Sequence, residues 1–131
     1  MPEGTSLVKI RRRVTDSIAP DGSRIRLLVT EARSASLVEV TLPAGAVSRP
    51  VRHRTVEEIW FFLEGEGRVW VGGAVTEVGP GSRVLIPTGQ PFQFAAGTGG
   101  ALRFLCYTSP PWPGADEAEP TAEGGLGPPT V

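Results

Sequence analysis

The stretch PAGAVSRPVRHRTVEEIWFFLEGEG, residues 43–67, decides how this chain folds. It contains the chain's single histidine, His53, and Glu58 follows shortly after. Side chains alternate between the two faces of a strand, so Glu58 shares a face with Trp60 and Phe62. Two short neighbouring strands would then direct one imidazole and one carboxylate into a common space lined by aromatic rings. The stretch therefore predicts a site as well as two strands.

Glycines stand at fixed distances from these two polar residues. The order Gly45, His53, Glu58 and Gly65 resembles the first motif of the cupin superfamily. That motif runs from a glycine through a His-x-His pair to a glutamate, and then to a further glycine. Val51 stands where the first histidine of the pair belongs.

A second group of turn residues resembles the second cupin motif. Gly81, Pro87 and Gly89 have the spacing of its glycine and its Pro-x-Gly, and Phe92 stands at its histidine position. The resemblance covers residues 35–108 and implies an all-β fold, the double-stranded β-helix or small jelly-roll barrel. It implies no single activity, because folds of this kind host many chemistries.

The amino-acid composition argues against several classes of function. A chain of 131 residues predicts one domain that can bury a core without disulfides. The net charge of −1 and the short basic cluster at residues 11–13, which has no interleaved aromatic residues, argue against nucleic-acid binding. The single cysteine, Cys106, fits a reducing compartment, and neither a signal peptide nor a membrane-spanning run is visible. We therefore expect a cytoplasmic protein with no membrane partner.

Turn signals divide the chain into roughly ten short strands, the spacing expected of a sandwich or barrel. Residues 7–14 alternate apolar and basic side chains, which predicts an edge strand near the amino terminus. The EGEG tetrad at 64–67 predicts a hairpin turn between the two strands that flank it. Further turns are predicted at Asp21-Gly22 and Gly72-Gly73.

The composition changes after residue 108. We assign residues 1–108 to a single cupin barrel with its core motifs at 43–108, and residues 109–131 to a partly mobile tail rich in Pro, Gly and acid. Trp112 is the exception. Its large ring predicts that the surrounding segment folds back onto the barrel or onto a partner subunit.

The ligand set for a metal is incomplete. The resemblance implies four metal ligands, two histidines and a glutamate in the first motif and one histidine in the second. This chain keeps His53 and Glu58 and has Val51 and Phe92 in the other two positions. We therefore predict no tightly bound transition metal, and leave open a weakly bound divalent metal held by His53 and Glu58.

Two interpretations of the His53–Glu58 pair remain open. One is a structural remnant, a neutral histidine that pairs with the buried glutamate. The other is an acid/base pair that shuttles protons at neutral pH. Some metal-free cupins, the sugar-nucleotide epimerases, are similar to this chain in pairing a histidine with an acid.

The remaining predicted pocket residues are mostly apolar. A phenyl ring at the position of a metal ligand favours an organic ligand over an ion. Arg49 shares strand parity with His53 and would reach a ligand anion at the barrel mouth. The predicted pocket residues are Arg49, Val51, Trp60, Phe62, Gln90, Phe92 and Phe94.

These observations predict a small-molecule-binding cupin with an aromatic-lined pocket and a degenerate metal site. The alternative is an isomerase, epimerase or lyase that acts on a small polar, sugar-like molecule through His53 and Glu58. A homodimer is also predicted, because Ile59, Phe61 and Leu63 lie on the opposite face from Glu58 and are too apolar to remain in water.

Overall fold

The computed structural model describes residues 7–10, 15–122 and 124–131. These residues contain eleven β-strands and a single 3₁₀ turn at Ala115–Glu117. The strands are β1 (Thr15–Ile18), β2 (Arg24–Val29), β3 (Ser36–Leu42), β4 (Val51–His53), β5 (Glu57–Glu64), β6 (Gly67–Val71), β7 (Ala74–Val78), β8 (Arg83–Ile86), β9 (Phe92–Ala96), β10 (Leu102–Ser109) and β11 (Ala118–Pro120). None of the described helical residues forms a segment long and apolar enough to cross a bilayer.

The strands form two antiparallel sheets packed face to face. The first sheet has the order β1-β2-β3-β10-β5-β8, and the second has the order β11-β4-β9-β6-β7. Strands that are neighbours in sequence often lie in different sheets, which is typical of a jelly roll. The all-β jelly-roll barrel predicted from the sequence is confirmed.

The long strands bury alternate side chains, and this alternation sets the core. Along β3, β5 and β10 every second residue is buried. One half of the barrel is filled by an aromatic cluster whose rings lie between 4.5 and 6.3 Å apart, centroid to centroid. Its members are Trp60, Phe62, Phe94 and Phe104. Edge-to-face and offset contacts of this kind fill volume and fix ring orientation.

The EGEG tetrad does not form the predicted hairpin. β5 pairs with β10 and β8 in the first sheet, whereas β6 pairs with β7 and β9 in the second. The tetrad instead carries the chain from one sheet to the other. Gly65 has a φ of 85°, and a Cβ there would lie 2.1 Å from the carbonyl oxygen of Ala101. Glycine is required because the crossing brings two backbones into contact.

Other turns agree with the sequence. Gly72 and Gly73 both have positive φ, 61° and 78°, and join β6 and β7 as a two-residue hairpin. The Asp21-Gly22 turn joins β1 and β2, with the Gly22 N–H donating to Ala19 O. The predicted strand at 7–14 lies partly outside the described residues: 11–14 are not described, and 7–10 are not in a strand.

The segment after residue 108 takes part in the second sheet. β11 pairs with β4, placing Ala118 opposite His53. Gln93 on β9 is fully buried, and its Nε2 donates to the carbonyl oxygens of Ser48 and Gly127. Leu126 N–H donates in turn to Gln93 Oε1. The carboxyl-terminal segment therefore covers the outer face of β9, and the ordered sheet extends beyond residue 108.

Candidate functional site

The other half of the barrel is hollow. A cavity of about 330 Å³ lies between the two sheets, within the size range of small-molecule sites. Its walls come from inward residues of β2, β3, β10, β5 and β4. The loop at 19–23 and the segment containing Trp112 and Ala115 complete the wall.

His53 and Glu58 meet on this wall from different sheets. His53 ends β4 in the second sheet, and Glu58 lies near the start of β5 in the first. The short connection between these strands crosses from one sheet to the other, so the two side chains converge. His53 Nδ1 and Glu58 Oε2 are 3.7 Å apart, and the two residues are only 4% and 6% exposed. The sequence prediction that both point into one space agrees with this placement.

One carboxylate oxygen of Glu58 is fixed by its neighbour on the strand. Trp60 Nε1 donates to Glu58 Oε1 at 2.8 Å, which leaves Oε2 directed at His53. The Nδ1 of His53 is buried and has no hydrogen-bond partner among the described residues. A separation of 3.7 Å is too long for a hydrogen bond between them. A ligand oxygen at about 2.8 Å from each atom would bridge the pair.

Burial shifts the two pKa values towards the neutral forms. Burial raises the pKa of Glu58 to about 7, although hydrogen bonds from Trp60 and Cys106 lower it. Burial lowers the pKa of His53 to about 4, and the negative charge of Glu117 opposes this only in part. Between these two values both groups are uncharged, so the contact is not an ion pair. At neutral pH Glu58 is close to half protonated, as an acid/base group would need to be.

The predicted aromatic and apolar pocket residues divide into two groups. Val51 and Trp60 line the cavity. Phe62 and Phe94 do not, because they pack in the aromatic cluster at the filled end. Phe92 lies between the two regions and is 1% exposed, with its ring 5.0 Å from the His53 ring and 5.3 Å from the Trp60 ring. The Phe92 ring packs against the imidazole of His53 and is not part of the cavity wall.

The two polar pocket residues predicted from the sequence lie elsewhere. Gln90 is half-buried in the turn after β8, where its N–H donates to Pro87 O. Arg49 is exposed, and its Nε donates to the carbonyl oxygen of Val131 at 2.9 Å. Neither residue lines the cavity. Arg49 precedes β4 and lies outside the regular alternation of the strand, so the parity that it shares with His53 does not direct its side chain into the barrel.

The carboxyl-terminal segment covers His53. Residues 109–120 are here called the strap. The indole of Trp112 lies edge-on to the imidazole at 5.2 Å, so the segment follows the first of the two predicted alternatives and folds back onto the barrel. Glu117 is 3% exposed, and its carboxylate accepts hydrogen bonds from the backbone N–H groups of Arg54 and Thr55 and from the Thr55 hydroxyl. Burial would raise the pKa of Glu117, but these hydrogen bonds hold it below the usual value.

Several wall residues were not predicted as pocket residues from the sequence, although Cys106 was singled out there as the chain's one cysteine. Ser36 and Thr108 are buried, and their hydroxyls hydrogen-bond to each other across β3 and β10. Cys106 precedes Thr108 on the same inward face of β10, and burial raises the pKa of its thiol far above the usual value. The alternation of side chains along SLVEVTL and LRFLCYTS directs Ser36, Cys106 and Thr108 to the same inward faces as their buried apolar neighbours. The sequence pattern alone could therefore have identified them as wall residues. Asp21 has no such signal, because it lies in a loop.

The donor set does not fit a transition metal. Val51 and Phe92 pair directly across β4 and β9, and both are buried, so a methyl-bearing side chain and a phenyl ring occupy two positions where the family resemblance implies histidines. One oxygen of Glu58 is already bonded to Trp60. In the described part of the chain no group of three or more His, Cys, Asp or Glu side chains could hold an ion. The donors at this site therefore do not support chemistry through a bound metal.

Comparison with known proteins places this architecture in a family. Residues 38–108 match the cupin domain family. MJ1618, an uncharacterized protein of Methanocaldococcus jannaschii, is 32% identical over 113 residues, which cover 80% of this chain and 90% of the relative. The polyketide cyclase RemF from Streptomyces resistomycificus superposes with a TM-score of 0.74 at 25% identity, covering 92% of this chain and 89% of its own. Rru_A2000 from Rhodospirillum rubrum, a cupin-2 domain, has a TM-score of 0.72 at 26% identity, covering 88% and 81%. Both cupin motifs, the two-sheet barrel and these matches lead to one conclusion: the chain belongs to the cupin family.

Proposed function

We propose that this cupin binds a small organic molecule in its cavity, against His53 and Glu58. The observation that carries the proposal is the buried, unpartnered Nδ1 of His53, 3.7 Å from Glu58 Oε2. Buried polar atoms almost always have a hydrogen-bond partner. An orphan atom on a cavity wall is therefore the group that a ligand would satisfy.

A second candidate, proton-transfer catalysis by the same pair, is favoured by the opposite shifts of the two pKa values. Glu58, with a pKa of about 7, can both donate and accept a proton at neutral pH. His53, with a pKa of about 4, is an uncharged imidazole under the same conditions. Such a pair suits an isomerase, an epimerase or a lyase, each of which moves a proton to or from carbon or oxygen. RemF, which has a similar structure and is 25% identical to this chain, is a polyketide cyclase. A barrel of this fold can therefore carry out enzymatic chemistry.

A ligand-capture experiment tests the binding proposal. Purified protein is incubated with a mixture of small metabolites and separated from unbound compounds by size, and the retained compounds are identified by mass spectrometry. We expect a retained compound with the parent protein and none with His53→Ala. Arg52→Ala is the matched control, because Arg52 lies on the same strand but its side chain is exposed. Equal retention by His53→Ala and the parent would contradict the proposal.

The chemical state of the retained compound distinguishes a binding protein from an enzyme. An enzyme returns the compound chemically altered, and His53→Ala loses turnover while the fold is retained. A binding protein returns it unaltered, and His53→Ala loses affinity instead.

We also propose a homodimer formed through the outer face of the first sheet. Ile59, Phe61, Leu85 and Tyr107 are between 40% and 55% exposed there and lie on the adjacent strands β5, β8 and β10. Registration places Ile59 opposite both Leu85 and Tyr107, so the exposed side chains form one continuous patch. A patch of this kind on a small barrel is typical of a subunit interface.

A further inference from the structure

The charge of the cavity wall limits what can bind. Its acidic groups are Asp21 and Glu58, and burial raises the pKa of both. The other titratable wall groups are His53 and Cys106. Among residues 7–10, 15–122 and 124–131, no lysine or arginine lines the cavity. An anionic ligand would therefore lose its hydration and meet two acids without any compensating cation.

The arginines nearest in sequence to His53 point elsewhere. Arg52 and Arg54 flank His53, but their side chains are 51% and 56% exposed, and each lies 3.9 Å from the carboxylate of Glu119. Arg49 is exposed and bonded to Val131 O. Strand alternation enforces this separation, because the face of β4 that carries His53 is opposite the face that carries Arg52.

The wall also has few side chains with free hydrogen-bonding groups: the exposed hydroxyls of Ser17 and Thr30, and the His53–Glu58 pair. The hydroxyls of Ser36 and Thr108 bond to each other, and Ser36 Oγ also accepts the N–H of Trp112. Asp21 already accepts hydrogen bonds from the N–H and the hydroxyl of Ser23. Most of the remaining wall is aliphatic or aromatic, including Val38, Val40, Ile25, Leu27, Phe104 and Trp112. A sugar has more hydroxyls than this wall can satisfy, and each unsatisfied one opposes binding.

We infer that the ligand is an uncharged, ring-containing, mainly apolar molecule with a hydroxyl or keto oxygen that bonds to His53 and Glu58. The inference rests on the proposed function and narrows it: sugars, sugar phosphates, nucleotides and carboxylic acids are excluded from this site. The aromatic walls of Trp60 and Trp112 hold the ring, and the His53–Glu58 pair holds the oxygen.

A matched set of probes tests the inference on the unmodified protein. Naphthol, naphthoate with its carboxylate at the same ring position, and unsubstituted naphthalene are compared by equilibrium dialysis at neutral pH, with glucose as the polar probe. We expect naphthol to bind, and naphthalene to bind about tenfold more weakly because it leaves Nδ1 unpartnered. Naphthoate should bind about a hundredfold more weakly than naphthol, because its carboxylate would lose hydration against a described wall that contains no lysine or arginine. Glucose should show no measurable binding.

A variant identifies the source of the discrimination. Glu58→Gln keeps the shape of the side chain but removes its charge. Because Glu58 has a pKa of about 7, the ratio between naphthol and naphthoate affinities should fall by about twofold at pH 7 and by about tenfold at pH 8, where Glu58 is mostly ionised. Glu119→Gln is the matched control, because this carboxylate is 46% exposed and lies outside the cavity. The ratio between naphthol and naphthoate affinities in Glu119→Gln should equal the ratio in the parent protein.

The possible failures have different meanings. Naphthoate or glucose binding as tightly as naphthol, with loss of binding in His53→Ala, would overturn the assigned ligand class while small-molecule binding at this site stands. Failure of every probe to bind would overturn the ligand class too. If the metabolite-capture experiment then also retains no compound, the proposed function itself is wrong.

Discussion

The pH dependence of stability provides a sharp test of the buried His53–Glu58 pair. The perturbation is Glu58→Gln, which retains a side chain of the same size that can still accept the hydrogen bond from Trp60. The groups close enough to influence Glu58 are His53, Trp60, Cys106, Asp21 and Glu117. All of them remain in the variant, so the difference between variant and parent isolates the titration of Glu58.

The sign of the pH dependence follows from whether the folded or the unfolded chain binds more protons. Between pH 4.5 and about 7, Glu58 is ionised in the unfolded chain but protonated in the folded protein. Its contribution to the free energy of unfolding therefore falls by about 1.4 kcal/mol per pH unit, or about 3 kcal/mol over the window. His53 acts in the opposite direction. The pKa of His53 falls from 6.5 to about 4 on folding. Its contribution to the free energy of unfolding therefore rises by a similar amount between pH 4 and pH 6.5.

The two slopes nearly cancel in the parent protein where the windows overlap. Glu58→Gln removes the falling slope, so the stability of the variant relative to the parent should rise with pH from 4.5 to about 7. The free energy of unfolding is measured by urea denaturation at a series of pH values. Glu57→Gln, on the exposed face of the same strand, is the control and should follow the parent. Parallel profiles for Glu58→Gln and the parent would refute the argument that Glu58 is held protonated by burial.

Three further predictions address the metal, the subunit interface and the strap. Elemental analysis should find no stoichiometric transition metal, and Val51→His combined with Phe92→His should steeply raise affinity for divalent ions; about one metal per chain, removed by His53→Ala, would contradict this. Sedimentation should show a dimer that Phe61→Glu converts to a monomer, and a monomeric parent at high micromolar concentration would exclude the proposed interface. Glu117→Gln should lower the free energy of unfolding by about 1–3 kcal/mol, because glutamine lacks the negative charge and one of the two acceptor oxygens that bond to the N–H groups of Arg54 and Thr55. Urea unfolding unchanged within error would show that the strap is held by other contacts.

The barrel and the convergence of His53 with Glu58 could be predicted from the sequence. Strand alternation fixes which side chains share a face, and it held from residue 36 to residue 42 and again along β5 and β10. The glycine and proline spacings supplied the order of strands and turns. Together they placed Val51, His53, Glu58 and Phe92 inside the barrel, and all four are buried.

Features that depend on pairing between distant segments could not be predicted. The EGEG tetrad has the composition of a hairpin, and only the partners of β5 and β6 show that it crosses between sheets. The strap has few apolar residues, so its composition indicates a mobile tail. Its placement depends on Glu117 capping the backbone after β4 and on three residue pairs between β11 and β4. Phe62 and Phe94 are as buried as pocket residues would be, and only the packing shows which end of the barrel is filled.

The most direct test of the central claim uses the single histidine of the chain. Because His53 is the only histidine, its imidazole signals in an NMR spectrum of histidine-labelled protein need no assignment. The account predicts a titration midpoint near pH 4, and a large shift of these signals when naphthol is added at neutral pH. A midpoint near the ordinary value of 6.5, with signals that do not move when a ligand binds, would contradict it.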